Sequence, residues 1–278
     1  MYKRQVWGNA IKYGNFSFGL NLGGIFGQID RNRITSFPDE IRALINNFRT
    51  EYSFSGLYTK LGASYLLTLN KAQLATENNQ KSPKIVSFGL TYQPNLSIST
   101  TANVSQSALL SIFPFTIDSV FVSNDVVGSG TLPSELAMGV TYYHGSDFAI
   151  GVDYRNTSWS SYRNDADPQE LRDTDRFAIG GYWRPDYNDI NSFFNRISYR
   201  AGMYYERDPR LINDERFSTF GVTFGLGMPL SWQRKFSNLD MGVTFGKRSV
   251  DILSESFVKF TFGFTFNDSD WFIKRKFN

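Results

Sequence analysis

The chain has no cysteine and a single histidine, His144. Disulfides and thiolate metal sites are excluded, and one imidazole leaves little for metal clustering. No run of about 20 apolar residues occurs, so no α-helix of this chain crosses a membrane. The net charge of +3 is too small to argue for nucleic acid. Glycine-rich phosphate loops are missing, and His144 lies in a tight turn with no serine and carboxylate placed to form a triad. We therefore expect no enzyme, no metal and no cofactor. The N-terminus, Met1-Tyr-Lys-Arg followed by Gln-Val-Trp-Gly-Asn, has neither an apolar leader core nor a small-residue cleavage site.

Aromatic residues are what the chain has in quantity: 26 Phe and 15 Tyr among 278 residues, and they follow a pattern. Phe260, Phe262, Phe264 and Phe266 alternate with Thr261, Gly263 and Thr265. On a strand, side chains two apart share a face, so these rings form one apolar stripe. The pattern recurs about ten times in segments of about 9–12 residues, the length of a tilted strand that crosses a bilayer. Phe16, Phe18, Leu20, Leu22 and Phe26 share one face, as do Leu57, Leu61, Ala63, Tyr65 and Leu67. Val86–Tyr92, Leu136–Tyr142, Phe148–Tyr154, Phe177–Trp183, Ile197–Met203, Phe220–Met228 and Leu239–Phe245 repeat the alternation. A soluble β-sandwich alternates too, but it charges its solvent face. Here the second face is Gly and Thr with sparse charges of mixed sign.

The expected fold class is therefore all-β: a transmembrane antiparallel β-barrel of the outer-membrane type, one domain over 1–278. About ten strands are legible, and a partial eleventh lies around Val6–Ile11. The expected location is the outer membrane of a Gram-negative cell, with outer-membrane lipids as partners. Tyr13-Gly14-Asn15, His144–Asp147 and Ser231–Asn238 read as tight or modest turns. Long connections are expected at Gln28–Tyr52, Thr101–Pro133, Asn156–Asp175, Glu206–Glu215 and Lys247–Ser256. With the C-terminus periplasmic, all of these fall outside, and 29–51 and 101–133 become the long extracellular loops.

A set of motifs resembles a known family. Phe18-Gly-Leu-Asn-Leu-Gly-Gly-Ile-Phe-Gly-Gln-Ile-Asp-Arg-Asn-Arg33, Leu132-Pro133 opening a strand, and Gly151-Val-Asp-Tyr154 followed by Trp159 belong to it. So do Tyr199-Arg-Ala-Gly-Met-Tyr-Tyr205, Phe224-Gly-Leu-Gly-Met-Pro-Leu230 and Trp271-Phe-Ile-Lys-Arg-Lys276. Together they resemble the FadL/TodX outer-membrane transport family over nearly the whole chain. That resemblance implies a fourteen-stranded barrel with an N-terminal hatch. This chain then holds about the last eleven strands and lacks the hatch.

Candidate ligand-binding residues fall in the two expected loops. Ile41, Leu44, Ile45 and Phe48 recur at the spacing of one helical face. The second loop carries Leu109, Ile112, Phe113 and Phe115 among other apolar residues. Apolar loop residues need either each other or an apolar partner, so the two loops form either an entrance groove or a cap. Lys60, Asp153, Arg155, Arg176, Arg200, Asp240 and Lys259 are expected to point into the lumen. There they make a stiffening ion-pair lattice or hold a ligand carboxylate. The leading functional expectation is passive uptake of a hydrophobic, fatty-acid-like small molecule. The alternative is an accessory or scaffold barrel that holds other outer-membrane or secreted proteins, as in a type IX secretion-like assembly.

Overall fold

A computed structural model describes residues 2–36, 45–71, 82–109, 116–165, 168–212, 214–232, 235–251 and 253–265. The first strands are β1 (Tyr2–Tyr13), β2 (Phe16–Thr35), β3 (Ile45–Thr68), β4 (Lys84–Gln93), β5 (Leu96–Leu109), β6 (Thr116–Leu132) and β7 (Glu135–His144). They continue as β8 (Phe148–Thr157), β9 (Arg163–Asn164), β10 (Thr174–Trp183), β11 (Ser198–Ile212), β12 (Glu215–Trp232), β13 (Lys235–Val250) and β14 (Leu253–Thr265). All fourteen belong to one antiparallel sheet, the wall of an outer-membrane β-barrel. Among the described residues no helix is long and apolar enough to cross a membrane, so crossing falls to the strands.

Two pairs of strands are single passes broken by proline. β4 and β5 run in line along β3, pairing with Leu61–Thr68 and Ile45–Gly56. β6 and β7 run in line along β5 and β4. The breaks fall at Pro94-Asn95 and Pro133-Ser134, where proline has no N–H to give the ladder. Counting each in-line pair once and leaving out the two-residue β9, the described residues make eleven passes. That matches the ten expected strands and the partial eleventh, which is the complete strand β1. Its apolar face carries Trp7 and Ile11, and Val6 lies on the other face opposite Gly23. Among the described residues β1 pairs with β2 alone and β14 with β13 alone.

The expected stripes lie on one continuous, solvent-accessible face: Phe18, Leu90, Ile150, Phe224 and Phe262 are all exposed. On β12 the stripe runs from Phe220 to Leu230, ten residue steps. At about 3.4 Å per residue and a tilt of about 40°, it stands about 26 Å tall, close to the ~25 Å apolar band of such barrels. This is the lipid face, and the Gly/Thr face opposite it is the lumen face.

β2 and β3, with 20 and 24 residues, are far longer than the ~9–11 needed to cross. Their excess joins β5 and β6 in a four-stranded blade. On the outward side of the blade the stripe ends at Leu57. Ser55 and Ser53 follow, opposite Ser99 and Thr101, and Ser99 faces Ser129. A serine surface is stable in water and not in hydrocarbon, so the blade stands beyond the bilayer. Its inward side carries a buried cluster, with Tyr52, Ile98, Thr100 and Ala102 all enclosed.

The expected long loops at 29–51 and 101–133 are therefore mostly blade. Residues 29–35 belong to β2, 45–51 to β3, 101–109 to β5 and 116–132 to β6. The Glu206–Glu215 and Lys247–Ser256 connections close instead as tight hairpins, with Ile212 opposite Glu215 and Val250 opposite Leu253. Asp214 takes the positive φ of 65° that the first of these turns requires. Ser231–Asn238 is also strand up to the Trp232–Lys235 pair. The helical face is corrected as well: Ile45 and Phe48 lie in β3, three residues apart and so on opposite faces. Ile41 and Leu44 lie outside the described residues.

Candidate functional site

Alternation places the seven expected lumen charges on one face, and the ladder decides which of them meet. Lys60 Nζ lies 2.8 Å from Glu135 Oε1, both side chains about a quarter exposed at 24% and 22%. Arg176 and Glu206 are directly opposite in the ladder, and Arg176 Nη1 donates to Glu206 Oε2 at 3.3 Å. The same guanidinium lies 5.0 Å over the Tyr204 ring. Arg200 Nη1 reaches Asp240 Oδ1 at 2.8 Å, a close ionic contact without hydrogen-bond alignment. Lys60–Glu135, Arg176–Glu206 and Arg200–Asp240 are thus three separate ion pairs, and of the seven expected residues only Arg200 and Asp240 meet each other.

Asp153, Arg155 and Lys259 make no ion pair among the described residues. Arg155 stands directly opposite Arg176, two like charges on neighbouring strands. Asp153, Arg155 and Arg176 border a hollow of about 790 Å3 whose floor is small: Ser17, Gly19, Gly62, Ser64, Gly89 and Thr91. A second hollow of about 840 Å3 includes Arg176, Arg200, Asp240 and Lys259. Chemically, this face offers one excess cation beside a neutral floor, suited to holding an anion rather than to transferring a proton.

The lumen glycines have a local explanation. Large side chains on one strand lie flat over glycines on the next. The Tyr204 ring covers Gly221, with a Cβ there 2.5 Å from the ring. The Phe257 ring covers Gly246, and Asp153 lies over Gly139. Arg200 crosses β12 above Gly227 to reach Asp240, passing 2.8 Å from where a Cβ would stand. At Gly221, Gly227 and Gly246 the space of a missing side chain is filled by a neighbour's side chain. Glu135, Glu206 and Tyr204 were not among the expected site residues. The usable signal was parity: each lies on the face of the basic residue it meets.

Of the expected ligand-binding residues, Phe48 lies on the inward side of the blade, with the Arg33 guanidinium 5.7 Å from its ring. Leu109 ends β5, opposite Ile45 in the ladder. Leu44, Ile112, Phe113 and Phe115 lie outside the described residues. The blade is also tied by charge. Arg49 donates through Nε and Nη2 to the Asp30 carboxylate at 3.0 and 2.6 Å. Those hydrogen bonds hold Asp30 below the ordinary carboxylate range. Above the belt, Asp208 accepts from Arg210 Nε at 3.0 Å and from Arg248 Nη2 at 2.6 Å. Burial pushes Asp208 up, but the two arginines outweigh it and hold the carboxyl low.

The family model described as BamG matches residues 5–278. The family that matches is thus BamG and not FadL/TodX, and both readings share the outer-membrane barrel class. Among solved structures, the Ralstonia pickettii toluene transporter TbuX is 14% identical, with 94% of this chain and 80% of that chain covered and a TM-score of 0.37. The RagAB peptide importer in its open-open state is 10% identical, covering 89% of this chain and 37% of that one, with a TM-score of 0.36. No curated protein matches the sequence.

Proposed function

The chain belongs to the BamG family, and from that premise we propose that it is an accessory barrel of the outer membrane whose blade holds another outer-membrane protein. The family name points to such an accessory role. The observation that carries the reading is the blade. Paired strands of 20 and 24 residues project beyond the lipid belt with a serine outer surface and a packed inner cluster. A rigid, hydrated, strand-built projection suits holding a protein better than admitting a small molecule. On β6, Val127, 79% exposed, stands on the outward side opposite Thr101, and Val126 stands on the inward side opposite Ala102.

The test is co-purification of the full-length protein from membranes, with a photo-crosslinking residue at Val127. Crosslinks to one outer-membrane protein, lost in Val126→Asp/Val127→Asp while the barrel still assembles, support the reading. A crosslink-free Val127 in intact cells sinks it.

A second reading, uptake of a hydrophobic small molecule, rests on the FadL/TodX resemblance and on the apolar inward side of the blade. Phe48→Asp would place a charge on that side, costing several kcal/mol on contact with an apolar ligand unless paired. Uptake of a labelled fatty acid falling in Phe48→Asp with co-purification unchanged would favour this second reading.

A further inference from the structure

The outward face of β1 breaks the rule that the other passes keep. It carries Trp7 and Ile11, but Lys3, Gln5 and Asn9 share that face with them. In the ladder Gln5 is opposite Gly24, Trp7 opposite Leu22 and Asn9 opposite Leu20, in the middle of the β2 stripe that runs from Phe16 to Phe26. At a tilt of about 40° and a strand spacing of about 4.8 Å, ladder partners differ in height by only about 3 Å. Both amides therefore stand inside the hydrocarbon belt. Among the described residues, the outward stripes of the other strands that cross the belt hold no amide and no charge.

Hydrocarbon offers a side-chain amide no partner, so polar residues at this depth mark a contact rather than a lipid surface. Lys3, Gln5 and Asn9 are exposed, and neither amide side chain has a hydrogen-bond partner among the described residues. Trp7 stands between them, 67% exposed. Tryptophan on a lipid face belongs at the water interfaces. In the middle of the belt, with an amide on each side, it suits the anchor of a protein contact.

The polar face continues above the belt. Lys3 borders a hollow of about 470 Å3 together with Gln28, Ser53, Ser55, Ser99 and Thr101. Ser53, Ser55, Ser99 and Thr101 are the serine surface of the blade, and Val127 stands opposite Thr101 on the same side. One hydrophilic strip thus climbs the outside of the protein, from Asn9 in the belt through Lys3 to the blade. A lipid tail satisfies none of the part inside the belt, and a protein outside the membrane reaches only the part above it. A strip that starts in hydrocarbon and runs on into water fits a protein that itself spans the membrane and rises beyond it.

We propose that the outward face of β1 is the membrane-embedded half of the docking surface, and that a second outer-membrane β-barrel packs its wall there, hydrogen-bonding Gln5 and Asn9 and covering Trp7. This rests on the accessory-barrel reading for the class of partner, and adds where that partner is met inside the membrane. A closed barrel has its backbone groups paired, so the partner's bonds to the amides come from side chains on its outward face. A wall with an unbroken apolar stripe is not the complement; one with hydrogen-bonding side chains at the same depth is. Between two walls the amide bonds are shielded from water and count for more than on a wet surface, while Trp7 supplies apolar area.

The experiment places a photo-crosslinking residue at Asn9 of the full-length protein in cells, beside separate cells with it at Val127 and, as a lipid-facing control, at Phe224. Asn9 should capture the same outer-membrane protein as Val127, and Phe224 should capture none. The second arm is Gln5→Leu/Asn9→Leu, which makes the face of β1 as apolar as the other stripes. It should assemble as well as the wild type, judged by heat-modifiable migration, and retain several-fold less partner on co-purification. A Val127 crosslink with Asn9 silent overturns the contact inside the membrane and leaves the blade reading standing. An Asn9 crosslink with Val127 silent does the reverse. Asn9 crosslinked within its own chain or to a second copy overturns the proposal, as does a double variant that keeps its partner. If the double variant does not assemble, the crosslinks decide alone.

Discussion

Arginine moved through the lipid belt measures the whole reading of the barrel. Phe224 stands on the lipid face of β12, four steps from Phe220 and six from Leu230, the ends of the stripe. With a belt about 25 Å tall, that puts it near the midplane. Phe224→Arg should therefore cost about 2–4 kcal/mol, and Phe220→Arg and Leu230→Arg about 0–1 kcal/mol each, because the penalty falls toward the interfaces. Thr223 is the control: its side chain points the other way, and its hydroxyl donates to the Gly202 carbonyl at 3.3 Å. Thr223→Arg loses that bond, about 0.5–1.5 kcal/mol, and leaves the new charge in a hydrated lumen.

The assay is reversible urea unfolding of the full-length protein in lipid vesicles, followed by tryptophan emission. The expected order is a large loss at 224 and small losses at 220, 223 and 230. Equal losses at 223 and 224 would mean that the strand faces are misassigned. A larger loss at 220 than at 224 would mean that the belt is displaced along the strand. Phe262→Arg and Thr261→Arg on β14 repeat the contrast.

Three further outcomes follow from the lumen face and from the Asp208 clamp above the belt. Lys60→Met should cost about 1–3 kcal/mol, between the exposed and buried limits for a broken ion pair, and Lys60→Met/Glu135→Leu should recover most of it in a double-variant cycle. Gly221→Ala should destabilise by about 1–3 kcal/mol because the Tyr204 ring must shift, and much less in a Tyr204→Ala background; additive costs would contradict the packing. Asp208 has a depressed carboxyl, so its clamp stabilises above the unfolded value and is lost as pH falls through the lower folded one. Urea midpoints of the wild type and Asp208→Asn, compared from neutral to strongly acid pH, should converge only at the acid end.

The belt was legible because hydrocarbon leaves no choice. Every strand that crosses it must present apolar side chains on one side, so period two survives from Phe16 to Phe264. The signal fades where the strand leaves the lipid. Residues 29–35 and 101–109 remain strand, but their outward side runs Asp30, Asn32 and Ile34 on β2 and Thr101, Asn103, Ser105 and Ser107 on β5, so no apolar stripe separates them from loop. Two further features hid the blade. The ladder between β5 and β6 shifts register near Val104 and again near Ser107, and Asp125 takes a positive φ of 54°. Such bulges erase strict alternation while keeping the pairing.

The lumen charges show the opposite balance. Parity alone puts Lys60, Arg176, Arg200 and Asp240 on one face, but it carries no register, and register decides partners. Arg200 and Asp240 are on strands separated by β12, so no neighbour rule for adjacent strands links them. They meet because Gly225 and Gly227 leave β12 low enough for the guanidinium to cross. Read this way, lumen glycines and lumen charges are one pattern: a glycine marks where a neighbour's long side chain lies down. The same rule explains Gly221 under Tyr204 and Gly246 under Phe257, and it separates these from Gly181. That glycine is on the lipid face with no side chain over it, and the atoms nearest its missing Cβ are the backbone of Ala149 and Ile150.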